Sequence, residues 1–340
     1  MRSSRAETPG GPDAGTGFIV LAAYQPDPEL FARQVRSIRD QTITDWRCII
    51  TADGGPEGVV DLLREAVGDD SRFEVAGYEE RLGFYGNFER GLRSVPSDAA
   101  WVALSDQDDY WLPTKLATMI PHLTEVAAVA AQARVVRYPS GAVVSETTGR
   151  RDVPIDDYIL NNQYTGGMML FRAEVLESAL PFPRLPTPAE VHDHWLAVVA
   201  HFRGGARVIP DIVQDYVQHD GNVIGEARSE RFNPFRSWQT VKRIVGRYEA
   251  SLSPRAVARV TYNVGVGWRE TMMVALGARL PLDTPDLARV LALYGPNRRF
   301  WRTLRATVRA ARRGDVSPRS LVEYFTGWVL GGVFRLRSRG

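Results

Sequence analysis

Apolar and polar positions along the first 125 residues fall into alternating blocks. "FIVLAA" (18–23) is a continuous apolar run, as expected of a strand covered on both faces. Asp27 and Pro28 then read as an N-cap followed by proline at the first helical position. Leu30, Phe31, Val35 and Ile38 recur behind them at three- and four-residue steps, the period of a helix with one apolar face. "WRCIIT" (46–51) predicts a second strand, 56–67 a second helix and "RFEVAG" (72–77) a third strand. A helix from about Gly86 to Val95, a strand "AAWVALS" (99–105) and a helix from Pro113 to about Leu123 follow. Such alternation predicts an α/β domain on a mainly parallel sheet, with its ligand site at the carboxyl ends of the strands.

From 126 to 225 the pattern is mixed. It predicts strands at 126–136 and 142–145, then an irregular stretch to "YTGGMMLF" (164–171). A helix from about Ala189 to Arg203 and short strands at 206–209 and 212–218 complete this part. Beyond 230 the chain reads as helical, with breaks at Pro254, Pro281, Pro285, Pro296 and Pro318. Residues 298–313, "RRFWRTLRATVRAARR", separate on a helix: Phe300, Trp301, Leu304, Val308 and Ala311 on one face, Arg298, Arg302, Arg305, Arg309 and Arg312 on another. "LVEYFTGWVLGGVF" (321–334) is apolar but too short and too interrupted to span a bilayer.

Composition changes this picture in two places. The 340 residues are 44% hydrophobic and 24% charged, ordinary for a soluble chain, and the net charge is only +2. From Glu226 onward, however, there are 22 Lys and Arg against 8 Asp and Glu; of the totals of 42 and 40, the earlier part keeps 20 basic and 32 acidic residues. The two parts are therefore expected to meet different partners, or each other. The second place is the start: residues 1–17 are rich in Gly, Pro and Ser and read as a disordered leader. Cys48, the lone cysteine, reads as a buried strand residue, which fits a reducing cytoplasm and leaves no disulfide or cysteine-based metal site.

Three predicted strand ends carry loops suited to a ligand. "AYQPD" follows the first, "ADGGPE" the second and "DQDDYW" the last. The last places Asp106, Asp108 and Asp109 within four positions, where like charges repel unless a cation or donors compensate. An Asp-x-Asp at a strand end holds Mg²⁺ or Mn²⁺ against a diphosphate; a solvated turn with Asp109 capping the next helix accounts for the same letters. Asp53 before two glycines admits a close ligand or a plain turn, and Gly83 and Gly86 allow a tight loop with Asn87 as a cap. "EVHDHWL" (190–196) opens a helix with Val191, Trp195, Val198 and Val199 toward the core and His192, Asp193 and His194 in its first turn. There the amides and helix dipole are expected to hold Asp193 charged. His219 in "VQHDGNVIG" reads as a metal ligand or a structural histidine.

Taken together, "FIVLAAYQPDPELFARQVRSIRDQTITDW", "ITADGG", "ERLGFYGNFERGL", "LSDQDDYWLPTKL", "YTGGMMLF", "HDHWLAVVA" and "YVQHDGNVIG" resemble, in content and order, family 2 glycosyltransferases with an A-type fold. The resemblance is to the bacterial rhamnosyltransferase-like branch and covers about residues 18–225. It implies three regions: the leader 1–17, a nucleotide-sugar-binding catalytic domain 18–225 and a basic helical region 226–340. It also implies a Rossmann-like sheet with flanking helices and metal-dependent inverting transfer from a nucleotide-diphosphate sugar, dTDP-rhamnose first, to a glycan or a polyprenyl-diphosphate-linked acceptor. By the family pattern the nucleoside lies along Ala22, Ala23 and Tyr24 and against Asp53, with Gly83 and Asn87 nearby. Asp106 sits near the ribose, Asp108 on the metal and His219 on the metal or the diphosphate, Gly166 and Gly167 beside the donor sugar, and Asp193 is the general base. Departures from the pattern lie on the nucleobase side: Ala52-Asp53 replaces a pair of Asp residues, Gly55 replaces Ser and Arg81 replaces Asn.

Other classes fare worse. A sugar-phosphate nucleotidyltransferase would want a basic, Gly-rich loop after the first strand, and "AAYQPDPE" has none. An inactive sugar-nucleotide-binding scaffold would not need Asp108 and Asp193. The basic tail suits an anionic membrane at the inner face of the cell, or a helical subdomain packed on the catalytic part, with a homodimer contact as a variant. No nucleic-acid-binding motif accompanies its charge.

Overall fold

A computed structural model of the chain describes residues 15–185, 190–219, 242, 245–246, 252–334 and 336. Most of the expected leader, the "GNVIG" stretch and the start of the helical region lie outside the described residues.

The first half follows the predicted order. Strands β1 (Gly17–Ala23), β2 (Trp46–Asp53), β3 (Phe73–Tyr78) and β4 (Trp101–Ser105) are parallel and stand side by side as β3-β2-β1-β4. Ile19, Val20 and Leu21 are fully buried because helices cover both faces of this part of the sheet. These helices are α1 (Pro28–Arg39), α2 (Glu57–Val67) and α3 (Gly83–Arg93). Helix α1 begins as its sequence suggests: the Asp27 carboxylate accepts from the amides of Glu29 and Leu30, and Pro28 takes the first position. Asn87, expected as a cap, lies instead inside α3 and is buried.

The remainder of the sheet departs from the pattern. Two-residue strand β5 (Tyr110–Trp111) leads to a short helix α4 (Lys115–Met119) and a 3-10 turn (Ile120–Thr124) rather than one long helix. Strand β6 (Ala128–Arg137) pairs with the hairpin strand β7 (Ala142–Ser145), and helix α5 (Ile155–Tyr158) leads to strand β8 (Met169–Arg172). Beyond α6 (Val175–Ala179) and α7 (His192–Phe202), the two predicted short strands merge into one long β9 (Ala206–Gln218). Its register against β6 slips between the Ala130–Val208 and Gln132–Ile212 pairs, where Pro210 has no amide to give. The full order is β3-β2-β1-β4-β8-β6-β9-β5, with β8 and β5 antiparallel to their neighbours.

The C-terminal helices are α8 (Pro254–Tyr262), a π-helical turn (Asn263–Gly267), α9 (Trp268–Arg279), α10 (Leu287–Tyr294), α11 (Phe300–Arg313) and α12 (Pro318–Phe334). Their Trp268, Met272, Met273 and Leu276 belong to one apolar cluster with Trp195 of α7 and Val20 of β1. Arg269 donates to the carbonyls of Ile159 and Leu160, and Arg279 to those of Ser178, Ala179 and Pro181. Packing on the acidic part is therefore real: Arg289 meets Asp156 and Arg313 meets Asp157. Helix α12 crosses α8 closely enough that a Cβ on Gly327 would stand 2.8 Å from the Thr261 carbonyl.

Helix α11 turns a different side inward from the one its apolar pattern marks. Thr303, Thr307 and Ala310 are buried, whereas Leu304 and Val308 are half-exposed and Trp301 is exposed. Two backbone acceptors allow this, since the Thr303 and Thr307 hydroxyls donate to the carbonyls of Leu293 and Thr303.

Candidate active site

Parallel pairing brings the ends of β1, β2 and β4 to one edge, and the loops there hold one another. The Tyr24 amide donates to Gln107 Oε1 at 2.7 Å, and Gln107 Nε2 donates back to the Tyr24 carbonyl at 3.2 Å. This clamp ties "AYQPD" to "DQDD" through a residue that carries no charge and no motif signal. Ala22 and Ala23 border it, although Ala23 is fully buried and has only backbone to offer a ligand. The Arg81 guanidinium sits 3.8 Å over the Tyr24 ring, a cation–π contact that no pattern in the sequence announces.

Asp53 is not an open carboxylate. Arg90 Nη2 reaches one oxygen at 2.5 Å, the Leu82 amide donates to the same oxygen at 2.9 Å, and the Gly83 amide to the other at 2.9 Å. Gly83 has a φ of 72°, and its amide anchors the helix start rather than facing solvent. Asn87 completes this unit from behind, donating to the Thr51 carbonyl at 2.8 Å and accepting from Arg90 Nε at 2.9 Å. Asp53, Gly83 and Asn87 were grouped by the resemblance as ligand contacts; the structure makes them the internal brace of the 79–83 loop. Protein donors thus occupy both oxygens of Asp53.

The acidic loop splits into three roles. Asp108 Oδ2 lies 2.7 Å from His219 Nε2, so residues 111 positions apart come together. Asp109 is no helix cap: it is buried and accepts from Gln214 Nε2 at 2.9 Å and the Val217 amide at 3.1 Å, which pins β9 to the loop. Burial and the Asp108 and Asp106 charges push its carboxyl well above the usual range. Burial, then Asp108 and Asp193, raise Asp106 to about 7. Gly167 is the floor of this cluster, because a Cβ there would come within 3.2 Å of Asp106 Oδ2 and of Asp109 Oδ2.

Lys115 is the residue that sequence reasoning missed. It is completely buried, donates to the Gly167 carbonyl and, at 2.6 Å, to Gln214 Oε1, and lies over the Trp111 ring at 3.7 Å. Burial pulls its ammonium well below the ordinary lysine range, while Asp109 and Asp106 oppose that pull. A lysine two residues beyond Pro113 was legible only as a helix residue.

Asp193 stands at the start of α7, between this cluster and the C-terminal helices. Its Oδ2 accepts from the Gly166 amide at 3.0 Å; its Oδ1 accepts from Asn162 Nδ2 at 3.0 Å and the His194 amide at 2.5 Å. The helix-start donors were expected to hold it charged, yet burial outweighs them and its carboxyl is raised to about 6. The reason is that α7 is not amphipathic: every residue from His192 to Ala200 is buried. His192 stacks on Phe88 at 4.1 Å and, like His194, is pulled by burial to about 3, so both imidazoles are neutral. A Cβ on Gly166 would meet His192 Nε2 at 2.6 Å, so glycine there is what lets the Gly166 amide reach Asp193.

The donor set fits a divalent cation held by few protein atoms. Asp108 offers a carboxylate oxygen and His219 an imidazole nitrogen 2.7 Å away, while no group of three or more His, Cys, Asp or Glu forms a metal cage among the described residues. Mg²⁺ and Mn²⁺ use such sparse sites, completing their shells with phosphate and water.

Residues 18–179 match Glycosyl transferase family 2. The succinoglycan biosynthesis protein ExoW of Rhizobium meliloti (strain 1021) is 27% identical over 110 residues, 32% of this chain and 34% of that relative, so the match spans about a third of either protein. The structure of S. aureus TarS 1–349 in complex with UDP-GlcNAc superposes with a TM-score of 0.51 over 94% of this chain and 92% of that one, at 14% identity, a likeness of fold alone. The mannosyltransferase PcManGT from Pyrobaculum calidifontis, in complex with GDP-Man and Mn²⁺, covers 95% of this chain and 88% of its own at 16% identity, with a TM-score of 0.47. The fold is the A-type glycosyltransferase fold with C-terminal helices added, and residues 18–179 are similar to glycosyltransferase family 2.

Proposed function

We propose that the chain is an inverting glycosyltransferase that moves a sugar from a nucleotide-diphosphate donor to a hydroxyl of a glycan or polyprenyl-diphosphate-linked acceptor. The observation that carries this reading is the placement of Asp193. A buried carboxylate raised to about 6 is held by Gly166, Asn162 and His194, and it couples electrostatically to Asp106 across the Gly166–Gly167 segment. At neutral pH such a group is ionised yet basic enough to take a proton from an attacking hydroxyl.

The other residues divide the work around it. Backbone at Ala22, Ala23 and Tyr24, with the loop braced by Asp53, lines the nucleoside side, and Asp106 faces the ribose. Gly166 and Gly167 give the donor sugar room, and Lys115 holds the Gly167 carbonyl in place. Asp108 and His219 would hold Mg²⁺ or Mn²⁺, which stabilises negative charge on a departing diphosphate. The inverted product follows from one displacement, with the base on the face opposite the leaving group.

Support for the donor class comes from the UDP-GlcNAc complex of TarS, and support for polysaccharide assembly from the name of ExoW. dTDP-rhamnose is the first donor to offer, as the rhamnosyltransferase-like motifs imply. A lipid-linked acceptor would place the work at the inner face of the cell membrane; no helix among the described residues is long and apolar enough to cross one. The test is donor turnover across a panel of nucleotide sugars, with Mn²⁺ and with EDTA. Release of nucleoside diphosphate from one donor, dependent on the cation and faster with acceptor, is the expected result. Stable binding of a donor without any turnover would leave a sugar-nucleotide-binding scaffold instead.

A further inference from the structure

Packing of α11 on Thr303, Thr307 and Ala310 leaves Trp301 outward and Leu304 and Val308 half-exposed. Trp301 is 68% exposed, and on the neighbouring α12 Val329 and Val333 are 58% and 69% exposed. The Phe300 ring bridges the two helices, lying edge-on to Trp301 at 5.1 Å, Phe325 at 5.6 Å and Trp328 at 5.4 Å. The result is a continuous apolar ridge across two helices, beyond what a single stray surface residue would signify.

A row of arginines runs beside it. Arg302, Arg305, Arg309 and Arg312 are exposed, and none has an ion-pair or hydrogen-bond partner among the described residues. Their neighbours differ: Arg298 pairs with Glu270, Arg313 with Asp157 and Asp315, and Arg319 with Glu323. The unpaired positions are those on the outward side of α11.

We propose that this face of α11 and α12 docks on an anionic lipid surface. The ridge enters the boundary between headgroups and acyl chains, and the arginines lie among the headgroup phosphates. A second copy of the chain is disfavoured because a twofold contact through this face would bring the same arginines against each other. Nucleic acid would satisfy the arginines but leave Trp301, Val329 and Val333 in water. A surface that is both apolar and anionic answers both halves.

The docking face is wired to the proposed base. Ser320 at the start of α12 donates to Asn161 Oδ1 at 2.7 Å, and Arg313 at the end of α11 reaches Asp157 at 2.5 Å. Asn162, next in the chain, is the residue that donates to Asp193. Lipid docking would therefore set the acceptor side of the site at a defined distance from the membrane. Docking itself stands on the surface alone, while the link to the acceptor side rests on the glycosyltransferase reading.

The experiment is co-sedimentation of the full chain with phosphatidylglycerol/phosphatidylcholine vesicles and with phosphatidylcholine vesicles, at low and high salt. The expected result is binding to the anionic vesicles that salt weakens. Arg302→Gln, Arg305→Gln and Arg309→Gln together should weaken partitioning about 100-fold, at roughly 1 kcal/mol per basic residue and 1.4 kcal/mol per tenfold. Trp301→Ser with Val329→Ser should reduce the binding that remains at high salt. Circular dichroism melting confirms that both variants fold, and donor turnover in solution should be unchanged in the arginine variant. Three outcomes overturn the proposal: wild type staying in the supernatant at low salt, equal binding to neutral vesicles, or a dimer in sedimentation velocity that Trp301→Ser dissociates.

Discussion

Replacing Asp193 with Asn removes a proton acceptor while keeping shape. The carboxylate has three protein donors around it and is buried, and burial raises its pKa from 3.8 to about 6. Two consequences follow with different signs. In catalysis, the amide accepts no proton, so transfer should fall by about 10²- to 10⁴-fold, the usual worth of a positioned general base. Wild-type activity should itself rise about tenfold per pH unit up to about pH 6 and then level off, because only the ionised form works. In stability, the folded pKa lies above the unfolded one, so the fold favours the protonated acid. Stability from this group is therefore lost as pH rises from about 4 to about 6, by about 3 kcal/mol in all. The Asn variant does not titrate, so its stability relative to wild type should improve over that window, less whatever its amide loses against the Gly166 and His194 donors. The assay pairs initial transfer rates with melting curves at pH 4 to 8, and thermal shift with nucleoside diphosphate and Mn²⁺ checks that donor binding survives. A variant that transfers at near the wild-type rate would refute the base assignment and leave Asp193 as an anchor for the Gly166 loop.

Asp108→Ala should abolish Mn²⁺-dependent stabilisation by nucleoside diphosphate together with turnover, since His219 alone offers one donor; retention of that stabilisation in a thermal-shift titration rejects the cation site. Arg90→Ala strands the Asp53 carboxylate, 2% exposed, without its guanidinium, and should cost about 3–5 kcal/mol in urea unfolding. A loss below 1 kcal/mol would mean that the Leu82 and Gly83 amides suffice. Gly166→Ala puts a methyl 2.6 Å from His192 Nε2 and should lower kcat more than it changes KM for the donor, at a stability cost of about 1–3 kcal/mol. An unchanged kcat would show that the Gly166 amide is not what positions Asp193.

Much of the N-terminal half was legible because its signals are local. A continuous apolar run makes a strand covered on both faces, Asp27-Pro28 makes a helix start, and both appear where the letters place them. The pairing of Asp108 with His219 was legible only through the order of seven blocks, since nothing local to "QHD" points 111 residues back. Asp109 and Asn87 were misread for the same reason from the other side. Each looks like a cap in its own neighbourhood, and each is claimed by a distant partner: Gln214 and Val217 for Asp109, Thr51 and Arg90 for Asn87.

Charge and amphipathicity show the division most clearly. The acid cluster, the basic tail and the apolar stripe of α11 are written in the sequence, because composition and period are one-dimensional properties. Which side of α11 turns inward is not, because two threonines can bond to the carbonyls of Leu293 and Thr303 and so bury as readily as leucines. Nor is the protonation of Asp193, which depends on how much water the C-terminal helices exclude from α7. Lys115 is the extreme case: as a letter it is a surface residue, and only the fold, by closing Gly167, Gln214 and Trp111 around it, makes it a buried donor that ties the Gly167 carbonyl to Gln214. Local pattern determines which elements form; desolvation and long-range pairing, which exist only after the elements pack, decide what their side chains do.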